Sequence, residues 1–387
     1  MKNRAFLGAN IFDGKTLHVG KVLLLEGNVV RGMIEPESVP DGFEITAFDR
    51  GTLMPGFVDL QVNGGGGVMF NDETTPAGLA VIAQAHATKG TRAFLPTLIT
   101  DTPEKTRAAV DAVEKAIESG SPGILGIHLE GPHLSIARKG AHDPSLIRRM
   151  QDEDEAFLCN AARRLPNVMI TVAPENVSNE QISRLAKAGV IVSLGHTDCS
   201  LIQAEAAFVA GARCVTHLFN AMSQMGNREP GLVGATLNAS GVSAGLIADD
   251  IHVHATCMRI ALSSKRASGS IFLVTDAMST VGSDITEFRL NGRRVLRRDG
   301  RLTLEDGTLA GADLDFPTAI SILIEKVGIT PSDAFAMATS APASVLRDAR
   351  GCGNLSIGKP SNVIYMDASC RYSSVSDVSA YGSRCAI

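Results

Sequence analysis

The sequence predicts an α/β fold: a (β/α)8 TIM-like barrel carrying a small β-sandwich domain built from the N- and C-terminal segments. Three observations carry this expectation. Between residues 56 and 275, eight short runs rich in Val, Ile and Leu alternate with longer helix-like stretches, the rhythm of a parallel sheet covered by crossover helices. The residues flanking that span read as short strands broken by turns. The length of 387 residues, 44% hydrophobic and 20% charged, suits one large barrel plus a smaller module. An open doubly wound sheet with extra strands is the main competitor.

Residues 1–54 form the first part of the small domain, where 22–30 read as a hairpin bending at Glu26-Gly27-Asn28. At Pro55-Gly56 the rhythm changes. The candidate barrel strands are 56–61, 93–99, 124–130, 168–172, 190–195, 214–218, 243–248 and 271–275. Amphipathic stretches such as 102–119, 152–164 and 179–188 lie between them. The barrel spans 55–349, and helices at 314–327 and 331–349 finish it. Within it, Asn291-Gly292, Asp299-Gly300 and Asp306-Gly307 are turn signals that predict a hairpin insertion near 284–311. Residues 350–387 return to the small domain with a strand at 362–366. The Ser-rich last fifteen residues are expected to have little order.

Composition excludes several classes of function. Trp is absent and aromatics are only 4%, so the core is aliphatic. The net charge is −5 and no basic run could track a nucleic-acid backbone, so an anionic ligand needs a local site. The start, Met1-Lys2-Asn3-Arg4-Ala5-Phe6, lacks a signal peptide's apolar stretch, and no apolar segment reaches membrane length. Seven scattered cysteines without a C-x-x-C pair read as reduced core thiols of a cytoplasmic protein.

The chemistry is concentrated in the middle of the chain. Seven of the nine histidines fall between His128 and His254, mostly at strand ends, where barrel active sites are built. Glu130 ends strand three, His196 follows strand five, His217 lies on strand six and Asp276 follows strand eight. One carboxylate and two imidazoles bind a divalent metal with a position left open, and a further carboxylate supplies a general base. Taken singly, each has a blander reading: Glu130 a solvated loop residue, His196 or His217 a satisfied core group, Asp276 a helix N-cap. Four such residues at four strand ends are far less probable as coincidence.

These residues lie in segments that resemble the N-acetylglucosamine-6-phosphate deacetylase branch of the amidohydrolase superfamily. The resemblance runs from the N-terminal strands to about residue 367. It is carried by Pro55-Gly56-Phe57-Val58-Asp59-Leu60-Gln61-Val62-Asn63-Gly64, His128-Leu129-Glu130-Gly131-Pro132-His133 and Lys139-Gly140-Ala141-His142. Leu194-Gly195-His196-Thr197, Thr216-His217-Leu218-Phe219-Asn220-Ala221-Met222 and Arg228-Glu229-Pro230-Gly231 continue it. Ile247-Ala248-Asp249-Asp250-Ile251-His252-Val253 and Val274-Thr275-Asp276-Ala277-Met278 complete it.

The resemblance implies deacetylation of N-acetylglucosamine 6-phosphate, with Glu130, His196 and His217 holding the metal and Asp276 as general base and acid. His142 is similar to the residue that polarises the scissile carbonyl. Asn220 and the backbone of Ala221 match sugar-phosphate contacts. Arg228 and His252 match a phosphate-binding pair contributed by the neighbouring subunit of a homodimer. Many superfamily members carry His-x-His after strand one and bind a second metal there. Gln61 and Asn63 stand at those positions, and neutral amides are poor ligands, so one metal per subunit is expected. Zinc is foremost; Fe, Co or Mn also suits the ligand set.

Rivals are a deacetylase of the galactosamine isomer, another amidohydrolase specificity, and a catalytically silent barrel acting as a scaffold. The last would have lost ligands, whereas all are present. The closing segment, Gly358-Lys359-Pro360-Ser361-Asn362-Val363-Ile364, departs from the family's pattern.

Overall fold

The computed structural model describes residues 2–265, 268–360 and 362–375. Eight parallel strands lie side by side in chain order: β1 (Phe57–Val62), β2 (Thr91–Ile99), β3 (Ile127–Glu130), β4 (Val168–Val172), β5 (Ile191–Leu194), β6 (Cys214–Val215), β7 (Ser243–Leu246) and β8 (Ile271–Leu273). Val62 and Ala277 form a parallel bridge that brings the last strand back to the first. There the N–H of Asp276 donates to Gln61 O at 3.1 Å and that of Asn63 to Ala277 O at 2.9 Å. The sheet therefore curls into a barrel, not an open doubly wound layer.

Local sequence explains the helices between the strands. Thr102 caps Pro103–Glu118 by accepting from Lys105 N, with Pro at the first helical position where its missing N–H costs nothing. Ser178 and Ser200 make reciprocal capping boxes with Gln181 and Gln203.

Inside the barrel, beneath its mouth, runs a hydrogen-bonded layer. His128 Nδ1 faces Leu60 O at 3.0 Å, and Thr171 Oγ1 lies 2.7 Å from His128 Nε2. Thr216 Oγ1 meets Thr171 Oγ1 at 2.6 Å and Ser193 Oγ at 2.7 Å. Burial pushes the His128 pKa down to about 4, so its ring is a neutral part of this scaffold.

Two further sheets form the small unit. One holds Asn3–Leu7, Val22–Glu26, Val29–Ile34 and Glu44–Ala47; the other holds Asn10–Phe12, Leu17–His18, Thr52–Pro55, Val363–Met366 and Tyr372–Ser374. Phe6, Leu23 and Val30 from the first meet Ile11, Leu53 and Tyr365 from the second in one apolar core, the sandwich arrangement. A separate antiparallel sheet, Glu287–Leu290, Arg293–Arg298, Arg301–Leu304 and Leu309–Ala312, follows β8. Its three reversals fall at the Asn-Gly and Asp-Gly pairs.

Several expectations are corrected. The sixth strand ends at Val215 because His217, Phe219 and Ala221 turn to positive φ. The helix expected at 331–349 breaks at Thr339 into Pro331–Ala338 and Ser340–Val345, with Pro342 in the first turn of the second piece. The stretch 314–327 is Phe316–Ile322 followed by a π-turn, Leu323–Val327, stopped at Gly328 (φ 83°). The blander reading of Asp276 as a helix N-cap, disfavoured by the sequence, falls as well, since its backbone joins the closing seam. Of the last fifteen residues, Ser373 and Ser374 pair with Tyr365 and Ile364, and 376–387 lie outside the described residues. Cys199 and Cys214 are buried, but Cys257 is exposed on helix Ala255–Ser264 and so is not a core thiol. No helix among the described residues is long and apolar enough to cross a membrane.

Candidate active site

A cavity of about 400 Å³ opens at the C-terminal mouth of the barrel, within the range of small-molecule sites. Its lining includes Asn63, Glu130, His142, His196, His217, Asn220, Ala221, His252 and Asp276. The backbone there is strained: φ is 48° at His196, 27° at His217, 48° at Ala221 and 50° at Asp276. Each such non-glycine residue costs of order 1–3 kcal/mol, which surrounding structure sustains most often at functional sites.

Glu130, His196 and His217 converge on one point. Glu130 Oε1 is 3.2 Å from His196 Nε2 and 3.0 Å from His217 Nε2, and the two Nε2 atoms are 3.0 Å apart. The His196 Nδ1 lies 2.9 Å from Arg138 O, so a neutral ring donates there and turns a lone pair inward. Stripped of their shared protons, these three atoms would repel one another unless a cation lay among them. Their spacing suits ligands sharing one ion at about 2.0–2.2 Å each. Burial disfavours charge on His217, yet hydrogen bonding and charge from Glu130 raise its pKa, which shows the same demand for positive charge. The donor set fits a divalent metal. His142 also presents a ligand-type atom within 4.8 Å of those on Glu130 and His196.

Burial pushes the His142 pKa down to about 3, helped by the neighbouring His196, so the ring is neutral. Its Nδ1 is engaged by Thr100 Oγ1 at 2.8 Å. Asp276 sits across the cavity. Its Oδ1 accepts from Asn63 Nδ2 at 2.7 Å and Gln61 Nε2 at 3.0 Å, and Gln61 Nε2 also reaches Glu130 Oε1 at 3.2 Å. Burial, then the charge of Glu130, pushes the Asp276 pKa up to about 6.

The phosphate-type residues divide. His252, which the resemblance assigns to a neighbouring subunit's site, lines the cavity of its own chain beside Asn220 and Ala221; it follows β7, whose C-terminal end opens at this mouth. Arg228 does not line the cavity and is exposed. Sequence reasoning overlooked Leu290, Thr308, Leu309 and Gly311, which reach the cavity from the inserted sheet, and Ala137 and Arg138. The Arg293 guanidinium of that sheet donates to Ala141 O, tying it to the His142 loop. Apolar and backbone linings have no residue-type signature; the turn pairs alone marked the insertion.

A closed parallel barrel with a buried carboxylate–bis-imidazole cluster and a second carboxylate at its mouth is an arrangement suited to metal-assisted hydrolysis. The amidohydrolase family profile matches residues 52–381, and the chain belongs to that family. It is 43% identical over 319 residues to an N-acetylgalactosamine-6-phosphate deacetylase of Shewanella sp. (strain ANA-3), covering 82% of this chain and 79% of the relative. It is 33% identical over 345 residues to an N-acetylglucosamine-6-phosphate deacetylase of Haemophilus influenzae, covering 88% and 89%. Among solved structures, N-acetylglucosamine-6-phosphate deacetylase from Pasteurella multocida superposes with a TM-score of 0.90 at 32% identity, covering 96% of this chain and 97% of that one.

Proposed function

We propose that this protein hydrolyses N-acetylglucosamine 6-phosphate to glucosamine 6-phosphate and acetate. The observation that carries the reading is one cavity with Glu130, His196, His217 and Asp276 at one end and Asn220, Ala221 and His252 also in its wall. Glu130, His196 and His217 would hold a single divalent ion, zinc foremost, with Fe, Co or Mn suited to the same donors. A bound ion supplies Lewis acidity, polarising an acyl oxygen and lowering the pKa of a water.

This chain's own residues do the rest. Asp276 takes the proton of the attacking water and returns it to the amide nitrogen, which must be protonated to leave. Its pKa of about 6 suits both directions of transfer near neutrality. With Nδ1 turned to Thr100, Nε2 of His142 is the ring atom left for the substrate's acyl oxygen. Gln61 and Asn63 turn amide nitrogens towards the carboxylates, which supports one ion rather than two.

Asn220, the Ala221 backbone and His252 bind the sugar phosphate. Arg228 completes this site from the second subunit of a homodimer, where its guanidinium forks onto phosphate oxygens. In support, the large apolar side chains of Ile136, Ile202 and Met225 are exposed. Arg138–Asp198 (2.8 Å) and Leu201 N–Glu229 (2.7 Å) contacts join their segments into one face. The six cysteines among the described residues are free, which supports a reducing, cytoplasmic setting.

A second reading, N-acetylgalactosamine 6-phosphate as substrate, is favoured by the name of the 43% identical relative. Acetate release from the two epimers, each with and without its phosphate, tests both. Faster release from the galactosamine phosphate replaces the first reading by the second. Release that ignores the phosphate sinks both.

A further inference from the structure

Asp249 follows β7, and the reaction above makes no use of it. Its side chain is only 8% exposed and that of His252 7%. Asp249 Oδ1 accepts the backbone N–H groups of Ile251 and His252 at 2.9 and 2.7 Å, which folds the segment into a tight turn. Oδ2 lies 2.6 Å from Nδ1 of His252. Burial alone would raise the Asp249 pKa, but the His252 ring and the backbone donors hold it below the ordinary carboxylate range. An ionised carboxylate only accepts, so Nδ1 of His252 carries a hydrogen. In a neutral ring that leaves Nε2 as a lone pair, the wrong partner for a phosphate oxygen. The imidazolium alone offers N–H on both sides.

We propose that Asp249 is a positioning residue that clamps His252 at Nδ1 and aims Nε2 into the cavity, so that the substrate's phosphate binds there together with a proton. The inference rests on the phosphate reading of His252. The charged surroundings agree with it. Asp276, on the loop after β8, feels the charge of His252, and Glu130 and His217 line the same cavity. Asp250 is paired instead with Lys326 at 2.9 Å. Phosphate on Nε2 and carboxylate on Nδ1 then sandwich one cation between two anions.

Asp249→Asn tests this because it keeps Oδ1 for both backbone N–H groups and replaces Oδ2 with an amide nitrogen. That nitrogen donates to Nδ1, so a neutral His252 carries its hydrogen on Nε2 and still reaches the phosphate, without charge. With N-acetylglucosamine 6-phosphate as substrate, KM should rise about tenfold while kcat changes less. The preference over phosphate-free N-acetylglucosamine should shrink by a similar factor. His252→Asn should raise KM likewise, and the double variant should be no worse than His252→Asn alone. Equal loss on both substrates, or a double variant clearly worse than His252→Asn alone, overturns the proposal. Absence of any phosphate preference in the wild type is a different failure, that of the phosphate reading itself.

Discussion

At the ligand corner Glu130 faces two imidazoles; burial would raise its pKa, but the hydrogen bonds and charges of His196 and His217 hold it well below the ordinary carboxylate range. Across the same cavity, at the seam between β1 and β8, Asp276 is faced by the neutral amides of Gln61 and Asn63 and is pushed up to about 6. Two buried carboxylates bridged by the Gln61 amide are thus tuned in opposite directions, and the tuning assigns their work. The one held as an anion between two imidazoles is a ligand. The one poised near neutrality, and already satisfied by donors, moves protons.

Breaking the ligand corner should have the largest effect. Glu130→Gln should lose bound metal and turnover together, read by elemental analysis and acetate release, and added metal should not restore it. Retained metal at the wild-type level would show that the ion lies elsewhere. Breaking the seam is expected to separate the two properties. Asp276→Asn should keep about one metal per chain while kcat falls about 10²–10⁴-fold.

A gentler change sharpens the contrast. Asn63→Ala removes an amide that favours the charged form of Asp276, so the acid limb of kcat should move to higher pH, by on the order of one unit. An unmoved limb would mean that Asp276 is not the titrating base.

The smallest expected effect lies behind the seam. Burial pushes the Asp59 pKa up to about 7, although Thr275 Oγ1 donates to it at 2.5 Å. A raised folded pKa means that the native state keeps a proton the unfolded chain loses. Its contribution is full below the ordinary value of 3.8 and is lost as pH rises through about 7. Relative to wild type, Asp59→Asn should therefore gain stability with pH, its Tm difference improving by roughly 2–4 °C between about pH 5 and about pH 8. A pH-independent difference would contradict the buried, proton-retaining carboxyl.

Much of this was legible in the sequence because barrel chemistry is written at strand ends. Glu130, His196, His217 and Asp276 follow apolar runs whose period and order already imply a barrel. The turn pairs at 291, 299 and 306 marked the inserted sheet but not its contact with the cavity, since Leu290 and Leu309 look like any strand residue. His252 could not be placed in its own chain's cavity from spacing, because the turn that carries it is set by Asp249 hydrogen bonds. The break at Thr339 was hidden because Pro342 is tolerated in a first helical turn. The amides of Gln61 and Asn63 were readable as poor ligands. That they hold Asp276 depends on closure of β8 against β1, a contact between residues more than two hundred positions apart.

The most direct measurement is a metal titration of chelator-stripped protein, following acetate release from N-acetylglucosamine 6-phosphate. The account expects no activity in the stripped protein and a linear rise that saturates at about one divalent ion per chain. Activity without metal, or a rise continuing to two ions per chain, would contradict it.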